Sequence, residues 1–411
     1  MYDVVVIGGG AAGMPAASAA AARGLRVLLL ERGEYTGKKL RITGKGRCNV
    51  TNDSAPREAR EIIPTGGKFL QSAMHAFPPR DAMALFESLG VPLKTERGNR
   101  VFPQSDKASD IVDALRRHMD KTGVAQKRGR AERVLVSGGA VSGVAAGGET
   151  IPCRAAILCT GGMSYPATGS TGDGYAMAAA LGHTIVPPKP SLVPLEAVGG
   201  DCAAMQGLSL RNVRLTVYDG GKKPVFEDFG ELLFTHFGLS GPLTLSASAH
   251  MRDFGKKNYF ALIDLKPALD EQTLDKRLLR DFQKFANRDF ANSLGELVNR
   301  LMIPVIIERS GVPGAAKVHS VTREQRAALL AQLKRFRVDI EKTRPIAEAI
   351  ITSGGVATRE LVPATMESKL VKNLHFAGEI IDADAYTGGF NLQIAWATAR
   401  AAGVHVLPQA E

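Results

Sequence analysis

Residues 3–31 read DVVVIGGGAAGMPAASAAAARGLRVLLLE, and this stretch decides the fold. Its opening β-branched run is typical of a buried parallel strand. The glycines that follow, Gly8, Gly10 and Gly13, match the G-x-G-x-x-G pattern. In that pattern Gly8 allows a tight turn, Gly10 lets the backbone approach a diphosphate, and Gly13 lets the next helix pack on the strand. Glu31 closes the stretch, where a carboxylate can take both hydroxyls of a ribose.

The order of these elements predicts a Rossmann-type nucleotide-binding domain. We expect strands at 3–7 and 26–30, with an alanine-rich helix at about 11–23 between them. The free N–H groups and positive dipole end of that helix would face the phosphates. A carboxylate at the ribose disfavours a 2′-phosphate, so NADP is an unfavourable ligand of this site. The candidate cofactor contacts here are Gly8, Gly10, Ala11, Ala12, Gly13, Glu31 and Arg32.

A later segment, residues 130–162, favours FAD over NAD. Two short apolar runs flank Gly138 and Gly139, which predicts a hairpin, and a buried strand then ends at Thr160. This arrangement resembles the segment of glutathione-reductase-type FAD domains that closes over the adenosine end. The alternative is an ordinary meander in another α/β protein. Its candidate cofactor contacts are Ala131, Thr160, Gly161 and Gly162.

A second segment, residues 374–402, points the same way. A strand ends in a glycine–acid pair, and a glycine-rich turn then enters a helix. FAD domains place such a pair against the ribityl chain and the diphosphate, and the helix start faces the flavin edge where negative charge develops on reduction. An NAD-only domain needs no such late segment. The candidate contacts are Gly378, Glu379, Gly389, Phe390, Asn391 and Leu392.

Five motifs together resemble one known family. They are KKLRITGKGRCNVTN (38–52), GNRVFP (98–103), FTHFGLSGP (234–242), TSGGV (352–356) and FAGEIID (376–382), the last continued by GGFN (388–391). The chain resembles the bacterial flavoprotein family of aminoacetone oxidase-like and 3-dehydro-bile-acid reductase-like oxidoreductases over nearly its whole length. The resemblance implies an α/β fold. Its glutathione-reductase-type Rossmann FAD domain is interrupted by an insert with a β-barrel part and a small helical part. It implies FAD as cofactor and does not fix the substrate.

The resemblance also implies that the loop after the second strand runs beside the flavin. Lys39 and Arg47 are then candidates to offset diphosphate charge, with a solvated face as the alternative for the lysines. Asn49 is a candidate to bond the isoalloxazine edge, or it is simply a turn-former. Cys48 is counted with the cofactor contacts. Because the sequence shows no partner cysteine or nearby histidine, we interpret it as packing rather than as a reactive thiol.

Composition excludes several other classes of protein. The 411 residues are 45% apolar and 23% charged, which is ordinary for a globular protein of two or three domains. The sequence contains no run of about 18 apolar residues, so it predicts no membrane span. Asp3, Arg23 and Arg26 interrupt the apolar start, so we expect no signal peptide and a cytoplasmic protein. The four cysteines form no C-x-x-C pair, which argues against a redox-active disulfide, a zinc ribbon and a disulfide framework.

The domain boundaries follow from changes in pattern. We predict the FAD-binding domain at 1–190 and 352–411, the first part ending in a proline-rich exit. Short alternating stretches predict a β-rich insert domain at 191–270 and 335–351. Leucine and phenylalanine at helical spacing predict a helical subdomain at 271–334.

The chemistry is expected at the flavin, which exchanges hydride through N5. His236 is the first candidate proton donor because histidine titrates near neutrality. Tyr386 is the second candidate and Tyr165 a weaker third; a structural role is the alternative for each. The leading hypothesis is NAD(P)H-driven reduction of an activated C=C bond in a steroid or bile-acid-like 3-oxo-4-ene. Without a second nucleotide fingerprint, NAD(P)H would bind transiently at the substrate pocket.

Two other functions stay open. The first is a flavin-dependent amine oxidase that passes electrons from a small amine such as aminoacetone to O₂. The second is an RNA-associated flavoprotein, suggested by the net charge of +11. Because that charge is spread along the chain and no RNA-binding module is visible, the expected partner is a small-molecule substrate rather than a nucleic acid or a membrane.

Overall fold

The computed structural model describes residues 1–54 and 62–407. They divide into two compact units, Leu192–Pro345 and a unit formed by Met1–Ser191 with the described residues from Ile346 onward. We call these the barrel unit and the nucleotide unit. None of the helices in the described ranges is both long and apolar enough to cross a membrane.

The first part of the nucleotide unit alternates strands and helices. Its strands are β1 Tyr2–Ile7, β2 Val27–Glu31, β3 Thr51–Asn52, β4 Leu93–Glu96, β5 Arg100–Pro103, β6 Ala125–Arg128, β7 Ala131–Ser137, β8 Ala140–Ala146, β9 Glu149–Leu158 and β10 Ile185–Ser191. Its helices are α1 Gly13–Ala21, α2 Lys38–Ile42, α3 Gly67–Ala76, α4 Pro79–Ser88, α5 Ala108–Thr122 and α6 Asp173–Ala180.

The barrel unit follows. Its strands are β11 Leu195–Ala197, β12 Ser209–Tyr218, β13 Phe226–Thr235, β14 Gly238–Ser240, β15 Tyr259–Asp264 and β16 Phe336–Thr343. Its helices are α7 Asp201–Ala204, α8 Pro242–Ser248, α9 Glu271–Lys284, α10 Phe290–Ser293, α11 Ile303–Ser310 and α12 Arg323–Lys334. The chain then returns to the nucleotide unit with β17 Ile351–Val356, β18 Leu374–Phe376 and α13 Phe390–His405.

One sheet organises the nucleotide unit. Its strands run in the order β6-β2-β1-β9-β8-β7, with β18 also paired to β9. The pairs of β1 with β2 and β9, of β2 with β6, and of β18 with β9 are parallel, whereas β7, β8 and β9 form an antiparallel meander. Strand β1 is buried from Asp3 to Ile7, as its uninterrupted apolar run predicts. The carboxyl ends of β1, β2, β9 and β18 therefore meet at one edge, where such folds bind ligands.

Helices α1 and α13 pack together on this sheet. Both are rich in alanine, and every residue of α1 is buried. A methyl group on Gly403 of α13 would lie 2.5 Å from the carbonyl oxygen of Ala16, so the two backbones touch at that point. Small residues let both helices lie close to the strands that carry the predicted cofactor contacts.

The barrel unit contains a closed antiparallel barrel with the strand order β11-β14-β13-β12-β15-β16. Pairing of β11 with β16 completes the ring. Every second residue of β15 and β16 is buried at their start, which is the period-2 pattern of a strand with one face toward a core. The helices from α9 to α12 lie between β15 and β16 in the sequence.

Candidate cofactor site

The turn after β1 has the geometry that its glycines predict. Gly8 has a φ of +102°, and a methyl group there would lie 2.5 Å from the carbonyl oxygen of Cys159. A methyl group on Gly13 would lie 1.7 Å from the carbonyl oxygen of Gly8. At Gly10, by contrast, a methyl group would meet no protein atom within 4 Å. Gly8 and Gly13 are therefore required by packing, whereas Gly10 faces open space.

Helix α1 starts two residues later than the pattern predicts. Ala11 and Ala12 lie in the turn, and the helix begins at Gly13. Ala12, the N-cap residue, offers no side-chain hydrogen bond to the first N–H groups. An uncapped helix start presents backbone donors and a positive dipole end, which suits an anionic ligand.

Glu31 lies at the carboxyl end of β2, beside this turn. Its carboxylate accepts hydrogen bonds from the backbone N–H of Gly9 at 2.7 Å and of Gly33 at 2.5 Å. A carboxylate has about four lone-pair sites, so about two stay available for ribose hydroxyls. The neighbouring Arg32 donates to Thr171 Oγ1 at 2.6 Å and to Asp173 Oδ2 at 3.0 Å.

Asp173 is held by a second arginine as well. Arg130 donates through Nε and Nη2 to both carboxylate oxygens, at 2.8 and 3.0 Å. These bonds from Arg130 are the largest cause that lowers the pKa of Asp173, with Thr171 and the charge of Arg32 adding to it. Asp173 therefore stays ionised and holds the guanidinium groups of Arg130 and of Arg32, the residue that follows Glu31.

The edge after β9 holds another part of the site. Ala131 is buried and begins β7, opposite Ala146. The Thr160 hydroxyl oxygen is buried without a hydrogen-bond partner among the described residues. Gly161 has a φ of +72°, and a methyl group on Gly162 would lie 2.4 Å from Thr352 Oγ1. The chain therefore turns closely around the end of β9.

Lys39 does not stand free beside the predicted diphosphate. Its ammonium group donates to Ser164 Oγ at 2.7 Å and to Glu379 Oε2 at 2.6 Å. Glu379 Oε1 accepts from Ser164 Oγ at 2.9 Å and from the backbone N–H of Thr352 at 2.8 Å. Sequence reasoning did not name Ser164 or Thr352 as cofactor contacts, although Thr352 opens the TSGGV motif and Ser164 closely follows Gly161 and Gly162.

Arg47 is likewise engaged with protein groups. It forms ion pairs with Glu96 and Asp106, and its guanidinium carbon lies 4.1 Å from the centroid of the Phe102 ring. Hydrogen bonds to the two carboxylates raise the pKa of Arg47. Its positive charge is thus compensated within the fold. The adjacent Cys48 is fully buried, and this burial raises the pKa of its thiol to about 12.

Asn49 presents an unsatisfied acceptor. Its side-chain oxygen is buried and has no hydrogen-bond partner among the described residues. A methyl group on Gly389 would lie 2.9 Å from this oxygen, which places Asn49 at the start of α13. The predicted flavin-edge residue therefore lies beside the predicted flavin-edge helix.

Three further bonds fasten the Asn49 loop to α13. Thr51 Oγ1 donates to Gln393 Oε1 at 2.7 Å, and Trp396 Nε1 donates to the carbonyl oxygen of Val50 at 2.8 Å. Asn52 Nδ2 donates to the carbonyl oxygen of Gly388 at 2.9 Å. No periodicity in the sequence indicates these contacts, since the partners lie more than 300 residues apart.

Gly389, with a φ of +102°, is the N-cap residue of α13, and no side chain caps this helix start. Phe390 is buried and Leu392 is partly buried. The Asn391 amide accepts from the Ala385 N–H at 2.9 Å and donates to the Ala385 carbonyl oxygen at 2.7 Å. Asn391 thus bonds the preceding loop and does not cap the helix. The first N–H groups of α13 can therefore donate to a bound ligand.

These features fit a flavin dinucleotide. The backbone at Gly10 is open, the starts of α1 and α13 lack side-chain caps, and the buried oxygens of Asn49 and Thr160 lack partners. A buried polar atom without a partner costs about 1–3 kcal/mol, so both oxygens favour a ligand with polar groups. In the described part of the chain, no group of three or more His, Cys, Asp or Glu side chains is placed to hold a metal ion.

Whole-chain comparison identifies the family. Residues 2–405 match the model described as HI0933-like protein Rossmann domain. The chain belongs to the HI0933-like family. This confirms the family resemblance, the Rossmann FAD fold with an inserted barrel, and the assignment as an FAD-dependent oxidoreductase.

Curated relatives of this HI0933-like protein cover nearly its full length. The 3-dehydro-bile acid delta(4,6)-reductase of Clostridium scindens is 30% identical, covering 98% of each chain. The ribosomal RNA dihydrouridine synthase of Escherichia coli is also 30% identical, covering 97% of this chain and 96% of the relative. Among solved structures, 3-ketosteroid delta1-dehydrogenase from Sterolibacterium denitrificans is 12% identical with a TM-score of 0.52, covering 98% of this chain and 99% of that one. The solved structure supports the fold.

The three candidate proton donors are divided between the units. His236 is exposed in the turn between β13 and β14 of the barrel unit, 5.0 Å from the Phe237 ring between centroids. Tyr386 is partly buried in the nucleotide unit and lies just before the α13 start. Tyr165, also partly buried there, has a φ of +51°. Tyr386 is thus the candidate that lies on the loop leading into the Gly389 start of α13.

Proposed function

We propose that this HI0933-like protein uses NAD(P)H to reduce a C=C bond conjugated with a carbonyl group. The observation that carries the proposal is the chemistry shared by two of its full-length relatives. A delta(4,6)-reductase of a 3-dehydro bile acid and a dihydrouridine synthase are both named for the saturation of such a bond. Because these relatives are named for different substrates but for the same kind of bond, they support the type of reaction more strongly than they support either substrate.

The reaction needs a hydride at the carbon β to the carbonyl and a proton at the α carbon, while NAD(P)H is oxidised. Bound FAD supplies hydride transfer through its N5. In our proposal Glu31 and the open turn at Gly10 hold the adenosine diphosphate half. Asn49 and the start of α13 hold the flavin edge, where the helix dipole stabilises negative charge. Tyr386 is the leading proton donor and His236 the second.

For the substrate, our first candidate is a steroid or bile-acid-like 3-oxo-4-ene, as in the named bile-acid reductase. The second candidate is a uridine in RNA. Two observations favour it: the net charge of +11 and 30% identity to a ribosomal RNA dihydrouridine synthase. A basic protein that binds RNA through phosphate contacts releases counterions, so its RNA affinity would fall steeply with salt.

The test separates the two half-reactions under anaerobic conditions. The purified holoprotein is mixed with NADH or NADPH while flavin absorbance is followed, and a candidate acceptor is then added. We expect bleaching by at least one nucleotide, then reoxidation by a 3-oxo-4-ene steroid or by unmodified ribosomal RNA. The saturated 3-oxo steroid and RNA already reduced at its uridines are the matched controls. Mass spectrometry of the acceptor should show a gain of two hydrogens.

Two results would overturn the proposal. The first is a flavin that neither nucleotide bleaches. The second is bleaching by aminoacetone with peroxide release in air, which would identify an amine oxidase instead. For the proton donor, we expect Tyr386→Phe to slow reoxidation by the acceptor about 10²–10⁴-fold while bleaching by NAD(P)H keeps its rate. His236→Gln is the parallel variant, and a selective loss there would transfer the role to His236.

A further inference from the structure

Glu379, which forms an ion pair with Lys39, directly follows a residue that contacts the start of α1. A methyl group on Gly378 would lie 2.7 Å from the Ala12 Cβ, so the residue before Glu379 touches the N-cap of the uncapped helix. A methyl group on Gly162 would lie 2.9 Å from Glu379 Oε1. The carboxylate of Glu379 therefore lies against the glycine turn after β9, and this turn and the start of α1 both belong to the candidate diphosphate site.

Glu379 is held tightly in this position. Its two oxygens accept three hydrogen bonds, from Lys39, Ser164 and the backbone of Thr352. The side chains of Lys39 and Glu379 are only 22% and 15% exposed. Water therefore screens the pair less than it screens a surface pair, and the charge of each group acts on its surroundings.

Without Lys39, this carboxylate would repel a diphosphate at the helix start. Two like charges that water screens poorly repel each other and disfavour binding, whereas a carboxylate paired with an ammonium group has no net charge to repel the diphosphate. The other cation predicted for this role, Arg47, is already compensated by Glu96 and Asp106. The diphosphate then depends on backbone donors, and on Glu379 being neutralised.

We propose that Lys39 is a charge-compensating positioning residue. It cancels the charge of Glu379 so that the dinucleotide diphosphate can bind beside that carboxylate. The proposal rests on FAD binding and not on the reaction proposed above. It reverses the role suggested by sequence, in which Lys39 would attract the diphosphate directly.

The proposal fixes the sign of three effects. Lys39→Met leaves an uncompensated carboxylate, so ADP and FAD should bind about ten- to fifty-fold more weakly. Glu379→Gln frees the Lys39 charge, so ADP should bind at least as tightly as to the unaltered protein. The double variant restores neutrality, and its ADP affinity should exceed that of Lys39→Met by at least about fivefold. If the pair only stabilises the fold, the expected result differs: both single variants should bind ADP more weakly than the unaltered protein, and the double variant should bind ADP no better than either single variant.

The experiment measures ADP and FAD dissociation constants of the apoprotein by titration calorimetry at low and high salt, without substrate or NAD(P)H. We expect the Lys39→Met penalty to shrink as salt rises, because added ions screen the repulsion. Ser164→Ala is the matched control, since it removes one hydrogen bond to each partner and changes no charge. Thermal melting of each apoprotein checks folding.

Glu379→Gln keeps the proposal testable even when Lys39→Met fails to fold. Weaker ADP binding in Glu379→Gln than in Ser164→Ala would overturn it. So would a double variant that binds ADP no better than Lys39→Met. Because these assays read nucleotide affinity alone, their failure is distinguishable from failure of the proposed reduction.

Discussion

Gly10→Ala should separate cofactor binding from folding. The added methyl group meets no protein atom within 4 Å, and Gly10 does not have a positive φ, so the apoprotein has no reason to lose stability. A Gly→Ala change at such a position stabilises by about 0.4–1 kcal/mol through the unfolded state. The same methyl group would occupy the space over which a diphosphate must lie. Overpacking costs about 1–3 kcal/mol, which corresponds to FAD affinity weakened about five- to 150-fold.

The matched control is Gly13→Ala, three residues away. There the methyl group would lie 1.7 Å from the Gly8 carbonyl oxygen, so the turn and α1 must move apart and the apoprotein itself should melt at a lower temperature. FAD affinity is measured by quenching of flavin fluorescence, and stability by circular dichroism of the apoprotein. Wild-type FAD affinity in Gly10→Ala would refute the reasoning, because the diphosphate would then not lie over Gly10.

Three other predictions follow from buried groups. Cys48, with its pKa raised to about 12 by burial, should resist iodoacetamide at neutral pH and react only on unfolding, as seen by mass spectrometry; labelling of native protein would contradict this. Burial lowers the pKa of His183, which lies beside Glu360. As the pH decreases below about 6.5, the unfolded chain therefore takes up this proton before the folded chain does, and the free energy of unfolding should fall by up to about 1.4 kcal/mol for each pH unit of decrease. His183→Gln should flatten that dependence in urea titrations, and an unchanged slope would exclude it. Gln393→Leu leaves buried groups of Thr51 and Phe77 without partners and should cost about 2–4 kcal/mol; a loss below about 1 kcal/mol would show that these bonds matter little.

The cationic loop shows where sequence reasoning stops. The clustering of cations at 38–47 predicts an anion site, and the loop lies beside the start of α13, because Asn49 meets Gly389 there. The partners of those cations were not visible in the sequence. Arg47 pairs with Glu96 and Asp106, which are remote in sequence. Residue type gives the sign of a charge, but only the fold decides which opposite charge reaches it.

The sequence alone determined the nucleotide-binding framework. Strand, turn and helix at 3–31 follow from local rules, because a glycine turn, an apolar run and a terminal acid act within a few residues of one another. Tertiary structure decided the site that closes around this framework. The Lys39–Glu379 pair and the Thr51–Gln393 bond join residues 340 and 342 positions apart. Contacts of that separation depend on how strand ends converge at a sheet edge, and no pattern along the chain encodes that convergence residue by residue.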